Sequence, residues 1–133
     1  MPMSLDEINA RQMPFAKLMG VVFTHADADE VRAEMPVRPD LCTLPATLHG
    51  GAIMALADSV GAVATVLNLP EGKGTTTLES KTNFIAAAPV GDKVTAICQP
   101  VHRGGRTMVW TTRIQRQDGR LVAVVTQTQM VLG

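Results

Sequence analysis

A single acid interrupts the longest apolar run of this sequence. Between His49 and Glu71 the one ionisable side chain is Asp58. Burying an ionised carboxylate without a partner costs several kcal/mol, so an acid retained in such a run is a candidate for acid–base or nucleophilic chemistry. The plain alternative is that Asp58 faces water or bonds a neighbouring backbone group. Nine residues before it stands His49, in Leu48-His49-Gly50-Gly51. Glycines at the start of a helix leave backbone N–H groups uncovered, where the helix has unsatisfied donors and a partial positive charge. Gly50 and Gly51 therefore offer what a developing oxyanion on a carbonyl requires, although a glycine pair also simply permits a tight turn into a helix.

The two halves of this chemistry do not meet within one chain. At a rise of ~1.5 Å per residue, Gly50 and Asp58 lie roughly 12 Å apart along a helix. A carboxylate that attacks a carbonyl, or activates water against it, must stand within ~3–3.5 Å of the reacting atoms. Two copies of the helix packed antiparallel about a two-fold axis bring Asp58 of one opposite Gly50 of the other. The expectation is a homodimer with two composite sites.

The elements that must position these groups follow from periodicity. Ser4 and Glu7 form a capping-box pattern ahead of a short helix that reaches Met19, with Leu5, Ile8, Met13 and Leu18 as its apolar side and Pro14 as a kink or break. Residues 20–25 and 30–37 read as strands around the Ala26–Asp29 turn, and Pro36, Pro39 and Pro45 mark an irregular stretch. Gly50 to Leu67 is the central helix. Ile53, Leu56, Val60, Val63 and Leu67 form its bulky stripe, and Gly51, Ala55, Asp58, Ala62 and Thr65 its small one. Thr75 to Ala86 alternates, with Leu78 and Phe84 on one face and Glu79, Lys81 and Asn83 on the other. Gly104-Gly105 and Asp118-Gly119 then mark hairpins joining strands 93–102, 106–116 and 120–132. The last strand sets Val122, Val124, Met130 and Leu132 on one face. The order α-β-β-α-β-β-β-β, in an α+β chain read as one domain over residues 1–133, buries its helix most economically inside a curved antiparallel sheet.

Bulk composition excludes several classes. Hydrophobic residues at 46% and charged residues at 18% describe a chain able to build a core. Aromatics are 3%, so Val, Leu, Ile, Met and Ala must fill that core. Zero net charge without a basic cluster, and so few rings to stack on bases, argue against nucleic acid. Cys42 and Cys98 lack metal spacing and read as reduced thiols of a cytoplasmic protein. The first residues have no basic segment followed by an apolar one, so no signal peptide is expected. A membrane span over residues 52–69 is disfavoured by Asp58 near its centre.

His-Gly-Gly with an acid nine residues after the histidine, on an Ala-rich helix, resembles the PaaI-like hotdog thioesterases. Thr77-Leu78-Glu79-Ser80-Lys81-Thr82-Asn83-Phe84, Pro89-Val90-Gly91-Asp92 and the Arg103–Arg106 hairpin are similar to the following strands of that family. The likeness runs from about Met13 onward. It implies the hotdog fold and hydrolysis of an acyl-CoA thioester, with no cofactor or metal. By that likeness Gly50 N–H polarises the carbonyl, His49 shapes the start of the helix, and Asp58 is general base or nucleophile. Thr77 occupies the place of a Ser or Thr near the attacking water. The family also implies pairs of dimers. One departure stands out: Thr43 lies where relatives carry Asn or Gln.

The remaining candidates are weighed on chemistry alone. Coenzyme A phosphates need cations at the mouth of a site, and Arg103 and Arg106, then Lys81, are the first choices; exposed arginines at a hairpin tip are otherwise simply solvated. His25 and His102 have no ligand partners at metal spacing. The alternative function is an acyl-CoA binder without turnover, with a hotdog hydratase a minor third.

Overall fold

A computed structural model describes residues 3–133. The N-terminal segment is two helices rather than one: α1 (Leu5–Ala10) and α2 (Pro14–Met19). Ser4 accepts from Glu7 N at 3.2 Å and caps α1, while Pro14 opens α2, where its missing N–H costs nothing. Ile8, Ala16 and Met19 are buried, but Leu18 is 69% exposed and does not belong to the apolar side assigned to it.

Strands β1 (Val22–Ala26) and β2 (Val31–Pro36) follow, then a 3-10 turn and a two-residue hairpin, β3 (Cys42–Thr43) and β4 (Thr47–Leu48), inside the stretch expected to be irregular. Helix α3 (Gly50–Val66) comes next, then β5 (Gly74–Phe84), β6 (Lys93–Arg103), β7 (Thr107–Gln115) and β8 (Leu121–Leu132). The six long strands form one antiparallel sheet in the order β1-β2-β6-β7-β8-β5. α3 packs on β2, β5, β6, β7 and β8, so the sheet wraps the helix as its periodicity requires.

Ile53, Leu56, Val60 and Val63 are buried against Val31, Met35, Val94, Trp110, Ile114 and Val125. The core is thus mostly aliphatic, with Trp110 its largest member. Thr65, on the small stripe, is fully buried; its hydroxyl donates to Gly61 O at 2.8 Å and accepts from Trp110 Nε1 at 2.8 Å. Two face assignments differ from expectation. A bulge between Thr77 and Glu79 turns Leu78 outward, leaving Thr75, Thr77, Ser80 and Thr82 on the half-buried face of β5. In β8 the inward residues are Val125, Gln127 and Gln129, whereas Met130 and Leu132 are exposed. Both faces of β8 carry aliphatic residues, and the amides lie on the inner one, so alternation alone does not name it.

Gly61 is required by packing. A Cβ there would lie 2.4 Å from the amide atoms of Gln127, which is wholly buried and would have to shift within the core. Gly61→Ala is expected to cost about 1–3 kcal/mol of stability, the usual penalty of overpacking, read as a shifted urea midpoint. The cysteines separate by burial. Cys98 is fully buried and that burial pushes its thiol up to about 11, whereas Cys42 is half-buried in β3. Since a disulfide reagent must reach the sulfur and only the thiolate attacks it, one thiol, that of the half-buried Cys42, is expected to be modified in the folded chain and both after unfolding.

Candidate active site

Asp58 lies on the exposed face of α3, so the chain's own fold does not bury it. The premise of a self-buried acid is corrected. The carboxylate is nevertheless held: Thr77 on β5 donates to Asp58 Oδ1 at 2.7 Å. Thr77 Oγ1 in turn accepts from Gln129 Nε2 at 2.7 Å, and Gln129 is 1% exposed. The other carboxylate oxygen, Oδ2, has no hydrogen-bond donor among the described residues and is open to react.

The second cluster sits at the start of α3. His49 is its N-cap, and His49 Nδ1 accepts from Gly51 N at 2.8 Å. That bond places the ring proton on Nε2, which makes Nε2–H a donor, and it commits the Gly51 amide. Gly50 N–H has no acceptor among the described residues. The Phe84 ring lies over Gly50, where an added Cβ would sit 3.1 Å from its outermost carbon. Glycine at 50 therefore keeps both the ring and the amide close to the surface.

Two hollows flank this helix start. One, of about 380 Å³, is lined by Phe15, Leu18, Leu41, Cys42, His49 and Ala52 among others. The other, of about 350 Å³, lies beside Gly50, Ile53, Phe84 and Ile85. A narrower apolar hollow of about 150 Å³ opens between α1 and α3 at Ala62 and Val63, one turn beyond Asp58. The larger one along Val66–Gly74 contains none of the candidate residues.

Asp58 and Thr77 are thus brought together, as are His49, Gly50 and Gly51, while six helical residues, Ala52 to Ala57, separate the two groups. Thr43 is paired through its backbone with Thr47 in the β3–β4 hairpin, and its side chain is exposed. Arg103 donates to Ala28 O at 2.9 Å and Asp29 Oδ1 at 2.8 Å, which ties the β6–β7 hairpin to the β1–β2 turn. Arg106 forms no ion pair among the described residues. Lys81 donates to Asn83 on its own strand. Gln129 was not singled out from sequence; the available signal was two glutamines two apart in an otherwise apolar-threonine strand.

The family follows from comparison. The model of the thioesterase superfamily matches residues 46–123, which span α3, β5, β6, β7 and the start of β8. The chain belongs to the thioesterase superfamily. It is 32% identical to 1,4-dihydroxy-2-naphthoyl-CoA hydrolase of Escherichia coli, over 97% of this chain and 95% of that one. Among solved structures it superposes on thioesterase HI1161 of Haemophilus influenzae with a TM-score of 0.93 and 28% identity, covering 100% and 93% of the two chains. A hypothetical thioesterase of Streptococcus pneumoniae, solved with coenzyme A, gives a TM-score of 0.78 at 26% identity over 85% and 86%. The E. coli PaaI protein shares the fold, with a TM-score of 0.85 over 97% and 94% at 23% identity. The hotdog architecture and the resemblance read from the helix motif are both borne out. Among the described residues no helix is long and apolar enough to cross a membrane.

Proposed function

We propose that this thioesterase hydrolyses an acyl-CoA thioester at a site completed by a second copy of itself. The observation that carries the reading is the exposed Asp58 carboxylate, fixed by Thr77 at 2.7 Å yet left with one open oxygen. Gly50 N–H, and Nε2–H of His49 beside it, receive the thioester carbonyl oxygen. Asp58 of the second copy either removes a proton from water, whose oxygen adds to the carbonyl carbon, or adds itself. The tetrahedral oxyanion is stabilised by the amide and the helix terminus, and collapse expels the coenzyme A thiolate. In the second route water then cleaves the mixed anhydride between the acyl group and Asp58, releasing the free acid. In a single turnover in heavy-oxygen water, label found in Asp58 identifies that route, with water attacking at the Asp58 carboxyl carbon.

The second copy is supported by the edge of the sheet. β5 is an 11-residue strand with one edge unpaired among the described residues, and long open edges favour pairing with another chain. Leu78, Phe84 and Ile85 along it are each more than half exposed, and Met54 on α3 is 36% exposed. β5 touches Asp58 through Thr77 and Gly50 through Phe84. Antiparallel pairing of two β5 strands, centred near Ser80 and Lys81, therefore carries the acid of one chain toward the helix start of the other. Arg106, the unpaired arginine of the hairpin, is the cation proposed for the phosphates.

The test is thiol release across a panel of aliphatic and aromatic acyl-CoAs, including hydroxylated aryl groups of the kind named for the E. coli relative. Turnover of at least one class is expected. Acyl-CoA binding with no thiol released overturns the reading in favour of a non-catalytic binder, which the short side chain of Thr43 favours. Thr43→Asn is expected to raise kcat, because an amide reaches the carbonyl where a hydroxyl stops short.

A further inference from the structure

Gln129 is almost fully buried, and both ends of its amide are engaged. Nε2 lies 2.7 Å from Thr77 Oγ1, and Oε1 lies 3.0 Å from Thr75 Oγ1. Thr77 Oγ1 lies 2.7 Å from Asp58 Oδ1. An ionised carboxylate only accepts, so Thr77 must direct its single proton at Asp58. That direction is enforced from behind: the Gln129 N–H occupies a lone pair of Thr77, and the Thr75 hydroxyl, donating to Oε1, holds the amide in the required sense.

Thr75 has a second acceptor. Its Oγ1 lies 2.8 Å from Met130 O, and one hydroxyl proton serves only one acceptor at a time. The proton that holds the amide is the one directed at Oε1. When a proton from water arrives on Oδ2, Oδ1 becomes the carbonyl oxygen of the acid and still accepts, so the Thr77 proton keeps its direction through the transfer.

We propose that Gln129, anchored by Thr75, is a positioning residue that sets the direction of the Thr77 proton toward Asp58 Oδ1 and holds it there while Oδ2 takes a proton from water. The inference rests on Asp58 acting as base.

The experiment measures kcat and KM for the best acyl-CoA substrate in Gln129→Met, Gln129→Glu, Thr75→Val and Thr75→Ser, with folding checked by thermal melting. Loss of a hydrogen bond to a charged group corresponds to about 10- to 100-fold, so Gln129→Met and Gln129→Glu are expected to lower kcat by that factor with KM within about twofold. The glutamate is no substitute, because a carboxylate cannot donate to Thr77. Thr75→Val is expected to lose a similar factor and Thr75→Ser to keep wild-type kcat. Combining Gln129→Met with Thr77→Val is expected to add little to the effect of Thr77→Val alone. Wild-type kcat in folded Gln129→Met or Thr75→Val overturns the inference, as does an additive double variant. Asp58→Asn separates this from failure of the underlying reading: if it retains turnover, the base assignment falls, whereas an inactive Asp58→Asn beside a fully active Thr75→Val removes only the positioning role.

Discussion

Replacing Asp58 with alanine is expected to lower thioester hydrolysis by at least ~100-fold, the lower bound for a positioned acid–base group, while leaving the chain folded. The separation of the two effects is what makes the measurement informative. Asp58 is exposed on α3 and no core side chain rests on it. Its removal forfeits one hydrogen bond, from Thr77, on the surface of the single chain. Thermal unfolding should therefore change little, since a bond of this kind contributes about 1 kcal/mol net. Binding of the substrate should also persist, because the groups proposed to hold the carbonyl and the coenzyme A phosphates, Gly50 and Arg106, lie elsewhere. Measured turnover near the wild-type rate in folded Asp58→Ala leaves the site without its base.

The second large effect concerns the origin of the two halves. Gly50→Pro removes the open N–H at the first helical position. Its Cβ would lie 3.1 Å from the Phe84 ring, which must shift by a few tenths of an ångström, so folding is checked by thermal melting. The folded variant is expected to lose ~10²–10³ in kcat, the usual effect of one oxyanion donor. Alone, each of Gly50→Pro and Asp58→Ala is then nearly inactive. Unfolded, mixed in equal amounts and refolded together, they form hybrids in which one site inherits both intact halves. With random pairing, half the dimers are hybrids and half their sites are whole, so activity recovers to about a quarter of wild type. A site contained within one chain gives no recovery at any mixing ratio. The assay thus reads the composite nature of the site without a structure of the assembly.

Much of the architecture was legible because it depends on periodicity. The alternating steps from Ile53 to Leu67 define a helix with one bulky side, and the two glycine turns at Gly104-Gly105 and Asp118-Gly119 define the meander that wraps it. The misassignments share a cause. Leu78 was placed by alternation, and a bulge shifts alternation by one residue. Val122, Val124, Met130 and Leu132 alternate along β8 and share a face by spacing, yet Val122 is buried while Met130 and Leu132 are exposed, and Gln127 and Gln129 point inward with Val125. A strand with aliphatic residues on both faces carries no local mark of which one meets the helix. The partner of Thr65, Trp110, is likewise distant in sequence.

By itself the sequence determined the chemistry available: one carboxylate in an apolar helix, a histidine and two glycines at that helix's start, and a strand pattern able to enclose it. These are local properties, encoded in residue type and spacing. Only the tertiary structure decided that Asp58 is exposed rather than buried, that Thr77 and Gln129 restrain it, and that His49 consumes the Gly51 amide while leaving that of Gly50 open. Each of these depends on where a side chain ends relative to groups supplied by another element or by a turn of particular geometry, a three-dimensional coincidence that neither propensity nor spacing records.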